Sequence, residues 1–297
     1  MNRAGARAIW LLLSATSLAC SGGDDPPRKD TPPPESSPAP PPSPPPARPP
    51  AWNADAGRLF LLHDSARGSR VIDPAFTDDQ ALDTIIAPPV ASLVIDLIDH
   101  GTAVGTATID SVRIDSSCIG WPAATISGAA SVTWRVAFPA GRVDVIPFDS
   151  LPALSAADSA SRVTAVARAA SLAPADTASA FRGRPYVVRQ ANRFTFDSTS
   201  VTLAEVVRLV PQEANPLHEQ LVLLMRAGAA EPVFSLRQVG LEEGLAALEL
   251  VAVLRIRSTG TIALLVRREQ EGGYRLQWIE QSPAGWRLRW QSALDGC

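Results

Sequence analysis

The sequence contains only one lysine, Lys29, and only three histidines among its 297 residues. No lysine follows residue 29, which excludes a phosphate-binding P-loop, a Schiff-base lysine and a kinase-type lysine from the rest of the chain. His63, His100 and His218 are far apart in the sequence, and none belongs to a His-Glu-x-x-His motif. We therefore expect no metal and no cofactor, and no motif assigns a catalytic residue.

Two features keep an enzymatic function open. Asp96, Asp99 and His100 have the residue types of a hydrolytic site. Their place at the end of a predicted hairpin favours instead a position near solvent, without a catalytic role. A glycosidase needs only two carboxylates, which different parts of a fold can supply. The lack of motifs favours a non-enzymatic protein, and a carboxylate-pair hydrolase is the alternative.

Basic charge and long apolar runs are scarce as well. The formal net charge is −3, whereas nucleic-acid-binding proteins usually carry a basic excess. No apolar run after the N-terminal region approaches the roughly 20 residues that cross a bilayer. We predict no nucleic-acid partner and no further membrane span.

What the N-terminus does contain is the pattern of an export signal. Arg3 and Arg7 precede an apolar stretch over residues 8–15, which is too short to span a bilayer, and small residues follow it. This order of charge, apolar core and small residues predicts a signal peptide over residues 1–19.

The stretch Ser17-Leu18-Ala19-Cys20 resembles the lipobox of bacterial lipoproteins. In that family the cysteine sulfur receives a diacylglyceryl group, so the resemblance implies lipid attachment at Cys20 and a membrane partner. By resemblance to the sorting rule of enteric bacteria, Ser21 implies the outer membrane of the cell envelope. Ser17 stands where the family usually has leucine, and it also suits an ordinary signal peptidase. A soluble periplasmic or secreted protein is therefore the alternative.

Residues 20–51 are predicted to be a proline-rich, disordered tether. Between Pro26 and Pro50, proline alternates with Ser, Thr, Ala and a few charged residues. Proline lacks the backbone N–H and fixes φ, which prevents helices and central strands. As polyproline II, with a rise of about 3.1 Å per residue, this segment reaches about 75 Å. A ligand for proline-binding grooves is the alternative, and a spacer fits an exported protein better.

Besides Cys20, the sequence has two cysteines, Cys118 and Cys297. In an exported protein, two remaining thiols are more often paired than reduced, which predicts a disulfide between them. Such a long loop would stabilise the fold by up to about 4–5 kcal/mol in the chain-entropy model. The alternative is a reactive Cys118, which no neighbouring histidine supports.

The folded part is predicted to be α+β and predominantly antiparallel β, with an N-terminal half over residues 52–173 and a C-terminal half over residues 174–297. A single domain that contains both halves is the alternative. Residues 93–98 and 102–114 predict one hairpin, and residues 132–138 and 142–148 predict a second. Near the end of the N-terminal half, an Ala-rich helix over residues 155–170 begins with the capping box of Ser155 and Asp158 and could form the boundary between the halves. Its expected apolar face contains Val163, Val166, Ala167 and Ala170.

The C-terminus predicts a four-strand meander over residues 249–257, 261–268, 273–280 and 285–291. The hexapeptides 273–278 and 285–290 are near copies, in which alternation places the aromatics and Leu on one face and arginines on the other. The arginine face consists of Arg255, Arg257, Arg267, Arg275, Arg287 and Arg289. It suits an anionic polymer such as lipopolysaccharide, or it is the solvated side of the sheet. The second interpretation is favoured because seven acids match the seven arginines after residue 241.

Together these features predict an exported, lipid-tethered, non-enzymatic envelope protein that binds or structurally supports an unknown envelope partner. The alternatives are a hydrolase that uses a carboxylate pair on an envelope polymer and a periplasmic module that binds a small molecule or lipid.

Overall fold

A computed structural model describes residues 51–65, 67–77, 87–114, 120–129, 132–172, 179–211, 216–241 and 244–296. The predicted signal peptide, nearly all of the tether and the three cysteines Cys20, Cys118 and Cys297 lie outside the described residues. The described part contains a set of strands and one α-helix: β1 (Phe60–Asp64), β2 (Gly68–Ile72), β3 (Val94–Asp99), β4 (Thr102–Arg113), β5 (Ala123–Ser127), β6 (Val136–Pro139), β7 (Val143–Val145), β8 (Phe148–Ser150), α1 (Ala156–Leu172), β9 (Val187–Phe196), β10 (Thr199–Val210), β11 (Leu217–Arg226), β12 (Phe234–Leu241), β13 (Ala247–Ile256), β14 (Ile262–Gln270), β15 (Gly273–Ser282) and β16 (Gly285–Gln291).

The first six strands close into a barrel in the order β1-β2-β5-β4-β3-β6, with antiparallel pairs throughout. Strand β1 has apolar residues on both faces, because each face packs against a different part of the core. Leu61 packs among the barrel's interior residues, whereas Phe60 and Leu62 join a core shared with the C-terminal sheet. The barrel therefore uses its outer surface as a packing face as well as its interior.

Two five-stranded antiparallel sheets complete the fold. The C-terminal sheet has the order β16-β15-β14-β13-β7, and the second sheet has the order β12-β11-β10-β9-β8. One face of the C-terminal sheet packs against the barrel through Trp278 and Trp290, and the other packs against the second sheet through Ile279 and Trp286. Helix α1 covers the outer face of the second sheet. The order of layers is barrel, C-terminal sheet, second sheet and helix.

The predicted fold class is confirmed at the level of a mostly antiparallel β protein with one mid-chain helix. The capping box is confirmed as well: Ser155 Oγ accepts from the Asp158 N–H at 3.2 Å and donates to the Asp158 carboxylate at 2.9 Å. The helix buries Val166, Ala169 and Ala170 against the sheet. Val163 was expected on that face and is exposed instead, because the sheet contacts a narrower stripe of the helix.

The hairpin of β3 and β4 is confirmed, and its two-residue turn uses positive φ angles at His100 and Gly101. The second predicted hairpin is wrong. β6 pairs with β1 and β3 in the barrel, whereas β7 pairs with β13 in the C-terminal sheet. Residues 139–141 thus connect the barrel to the C-terminal sheet. Their composition predicts a turn but does not show whether the flanking strands pair with each other.

The predicted C-terminal strands are all present, but their sheet contains a fifth strand, β7. Strands β7 and β8 precede residue 174 and pair with strands that follow it, so the sheets combine both predicted halves. None of the helices in the described part of the chain has the length and hydropathy needed to cross a membrane.

Candidate functional site

The structure does not bring the predicted arginine face together. Residues opposite each other on neighbouring antiparallel strands share a face, and Arg275 is opposite Arg268, which contacts Gln220 on the second sheet. Arg287 is opposite Glu280, on the side of the barrel. Arg275 and Arg287 therefore lie on opposite faces of the C-terminal sheet.

Several arginines of this set are engaged by neighbouring groups. Arg255 pairs with Asp197 at 2.7 Å, Arg257 with Asp144 at 2.8 Å, and Arg289 lies 4.0 Å from Glu280. Arg267 pairs with Glu249 and Glu269 and lies over the Tyr274 ring, while Arg275 donates to the Ser292 carbonyl.

The alternation predicted for the two hexapeptides is found in the first copy only. Tyr274, Leu276 and Trp278 all pack toward the barrel. In the second copy, a bulge opposite Trp278 and Ile279 leaves Trp286 on the other face from Trp290. A bulge inserts one residue and so reverses the alternation beyond it.

The three histidines lie on separate elements and do not converge. His63 stacks on Trp134 and contacts Ser69 Oγ through Nδ1 at 3.2 Å. His100 Nδ1 is 2.9 Å from Asp99, whereas Asp96 accepts from the Gly141 N–H, so the hydrolytic group suggested by the sequence is divided. Among the described residues there is no group of three or more His, Cys, Asp or Glu side chains that could hold a metal ion.

Glu219 on β11 is a fully buried carboxylate on the helix-facing side of the second sheet. It accepts from the guanidinium groups of Arg208 and Arg237 and from the Tyr186 hydroxyl at 3.0 Å. Burial alone would raise the pKa of Glu219, but these hydrogen bonds outweigh it and hold the pKa below its ordinary value. Glu219 is therefore ionised near neutral pH, which does not suit a general acid.

Tyr186 and Arg208 complete this group, which we call the Glu219 cluster (Tyr186, Arg208, Glu219 and Arg237). Burial and the neighbouring carboxylate raise the pKa of Tyr186 to about 12. The Arg208 guanidinium lies 4.5 Å from the centre of the Tyr186 ring and also donates to the Phe181 carbonyl. The acceptors of Glu219 are occupied by protein donors, so the cluster supports the fold.

A second buried carboxylate, Glu205, lies on the opposite face of the same sheet. It accepts from the side chain of Gln220 at 2.5 Å, from Gln190 at 3.2 Å and from the Leu248 N–H at 3.2 Å. These contacts join the two sheets. Because Glu205 and Glu219 face different layers, they cannot act as a carboxylate pair on one substrate.

A polar groove lies between α1 and the outer face of the second sheet. Its floor follows from strand register: Asp149, Arg193 and Thr202 are opposite one another across β8, β9 and β10. Thr195 and Ser200 form the next pair on the same face. We call this site the arginine groove, lined by Asp149, Arg162, Arg193, Thr195 and Ser200 with Pro147 and Phe194; its cavity is about 560 Å³.

Arg162 enters the groove from α1, one turn before the buried Val166. Its Nη1 donates to Thr202 Oγ1 at 2.9 Å. It also lines a smaller cavity of about 60 Å³ beside the turn that contains Gly228. Burial and the charge of Arg193 lower the pKa of Arg162, more than Asp158 and Asp149 raise it. Arg162 and Arg193 thus bring two guanidinium groups close together in the groove, beside the Asp149 carboxylate.

Arg193 is held by Asp149, whose carboxylate accepts from its Nε at 3.2 Å and its Nη2 at 2.6 Å. The Asp149 side chain is half exposed. The sequence pattern did not predict the groove. The signal it contains is weak: Arg162 occupies the same helical stripe as Val166 and Ala169, four and seven residues on, where an apolar residue is expected.

Comparisons with known proteins identify no relative. No protein-family model matches the chain, and no match is found among the curated proteins or the solved structures.

Proposed function

We propose that this chain is a lipid-anchored protein of the cell envelope, which holds a folded binding domain at the end of a proline-rich spacer. The observation that carries the proposal is the order of segments at the N-terminus: Ser17-Leu18-Ala19-Cys20, then Pro26 to Pro50, then the fold. A cleaved apolar run leaves no membrane affinity, and lipid on Cys20 would restore it.

The way the fold begins supports this arrangement. Trp52, next to the tether, packs against Phe60, Trp278 and Trp290 with ring centroids 4.6–5.4 Å apart. Its indole N–H donates to the Gly57 carbonyl at 2.7 Å. Trp52, directly after the predicted spacer, is therefore held between the barrel and the C-terminal sheet.

A binding role is favoured over catalysis by the state of the buried acids. Glu205 and Glu219 accept hydrogen bonds from protein donors and face different layers. A glycosidase requires two carboxyl groups across one scissile bond, one of them with a raised pKa. The arginine groove offers two guanidinium groups and two hydroxyls beside the single carboxylate of Asp149, which suits recognition of an anionic group.

The proposal is tested by membrane partition of the wild-type chain and two cysteine variants in a bacterium that processes lipoproteins. We expect the wild type in the outer-membrane fraction and Cys20→Ala in the soluble or inner-membrane fraction, because the variant cannot accept lipid. Cys118→Ala is the matched control: it removes the predicted disulfide but keeps Cys20, so it should partition with the membrane as the wild type does. A wild-type chain found in the soluble fraction together with Cys20→Ala would contradict the proposal.

A further inference from the structure

The arginine groove contains donors that the protein itself does not satisfy. Arg162 Nε and Ser200 Oγ are buried and have no hydrogen-bond partner in the described part of the chain. Buried polar atoms in folded proteins are nearly always paired, and an unpaired one is costly. Both residues line the same cavity, so one ligand can contact both side chains.

The charges in the groove indicate an anion. Within the described ranges Arg162 makes no ion pair with a carboxylate. Its side chain donates a hydrogen bond to the neutral hydroxyl of Thr202. Asp149 is engaged by Arg193, and Asp158 is engaged by Ser155 at the start of the helix. The Arg162 guanidinium is thus a partly buried cation that lies near the carboxylates of Asp158 and Asp149 but makes a direct ion pair with neither of them.

We propose that the arginine groove binds a phosphorylated sugar. A phosphate monoester has three terminal oxygens, which match three donors: the two guanidinium groups and the Ser200 hydroxyl. A carboxylate has only two oxygens, and guanidinium groups bind phosphate through paired hydrogen bonds. The half-exposed Asp149 carboxylate accepts from sugar hydroxyls, as does Thr195 Oγ.

The inference is independent of the lipid tether, because it rests only on residues between Pro147 and Thr202. A phosphorylated sugar reaches the groove either as a free metabolite or as the headgroup of a membrane glycolipid. The purified full chain in mild detergent is therefore titrated with glucose 1-phosphate, glucose and inorganic phosphate by calorimetry. In a second arm, its binding is measured to phosphatidylcholine vesicles with and without a phosphorylated glycolipid.

We expect glucose 1-phosphate or the glycolipid vesicles to bind, and glucose and plain vesicles not to bind. Arg162→Met keeps the side-chain stem and removes the charge, which should weaken binding at least about tenfold. Arg287→Met, an exposed arginine on another sheet, is the matched control and should leave binding within about twofold. Binding of the free sugar phosphate identifies a soluble ligand, and binding of the glycolipid vesicles alone identifies a membrane source.

Ser200→Ala keeps the test decisive if Arg162→Met does not fold. Because it removes an unpaired buried hydroxyl, it should leave the unfolding midpoint equal or higher, yet weaken binding by roughly two- to tenfold. The proposal is overturned if neither glucose 1-phosphate nor the glycolipid vesicles bind, or if Arg162→Met and Ser200→Ala bind as tightly as the wild type. Inorganic phosphate that binds as tightly as glucose 1-phosphate overturns the sugar part of it.

Discussion

Replacing Glu219 by Gln should destabilise this protein more than any other single charge removal in the second sheet. The change is nearly isosteric, so it leaves the packing of β11 intact. It removes the anion that accepts from Arg208, Arg237 and Tyr186 and places an amide donor among these donors. The side chain of Glu219 is fully buried, and that of Arg208 is 12% exposed.

The expected loss follows from this burial. Breaking a buried ion pair by removing one partner costs about 3–5 kcal/mol, because the remaining charge is left uncompensated. Arg237 is a quarter exposed and recovers part of its hydration, so we expect about 3 kcal/mol, the lower end of that range. This is a large fraction of the roughly 5–15 kcal/mol by which native proteins are stable.

The assay is urea unfolding followed by the fluorescence of the six tryptophans that follow the predicted signal peptide. Glu269→Gln is the matched control, since Glu269 pairs with Arg267 at 2.7 Å but is more than half exposed. Such a surface pair contributes about 0–1 kcal/mol. Because the folded-state pKa of Glu219 lies below its ordinary value, its stabilisation is complete above that value and is lost as the pH falls through the folded-state pKa. Equal unfolding midpoints for the two variants would refute this account of the Glu219 cluster.

Two further predictions concern the same fold. Tyr186→Phe should lose less stability at alkaline pH than the wild type. The folded-state pKa of Tyr186, about 12, lies above the ordinary tyrosine value of about 10, so the wild type loses this stabilisation progressively as the pH rises from about 10 to about 12. Urea unfolding at pH 8 to 11.5 checks this, and a variant with the same pH dependence as the wild type would contradict it. Gly273→Ala should destabilise by about 2–6 kcal/mol, because φ is +146° and the added Cβ would meet the Asp295 carbonyl, whose strand pairing with Tyr274 would be lost. Gly285→Ala is the control in thermal unfolding, with φ of +111° but open space around the Cβ, and a loss as large as that of Gly273→Ala would refute the clash.

The C-terminal strands were predictable because their pattern is local. Runs rich in Val, Leu and Ile in β13 and β14, and partly alternating apolar and polar residues in β15 and β16, are bounded by turns that contain Gly and predict these strands. Ser155 with Asp158 predicts the start of α1. The first hairpin was predictable for the same reason, since His100 and Gly101 form its turn.

The barrel was not predictable, because its closure depends on pairs between distant strands. β1 pairs with β6 and β2 pairs with β5, and each of these pairs uses only two residues per strand. β1 is buried on both faces, which removes the alternation that signals a strand. Neither composition nor periodicity shows such pairing.

The arginine groove escaped prediction for a related reason. Asp149, Arg162, Arg193 and Ser200 come from four elements, and the register of β8, β9 and β10 is what brings three of them together. The sequence pattern predicted instead a basic face from the arginines near the C-terminus, which are closer together in the sequence than the groove residues are. Strand pairing and a bulge separate that set onto different faces of its sheet.

The measurement that tests the central proposal most directly is the mass of the mature N-terminal peptide from the membrane-associated protein. We expect Cys20 to be the first residue and to carry a diacylglyceryl group on its sulfur. A mature chain that begins at an unmodified Cys20, or one that retains residues 1–19, would contradict the proposal of a lipid-anchored envelope protein.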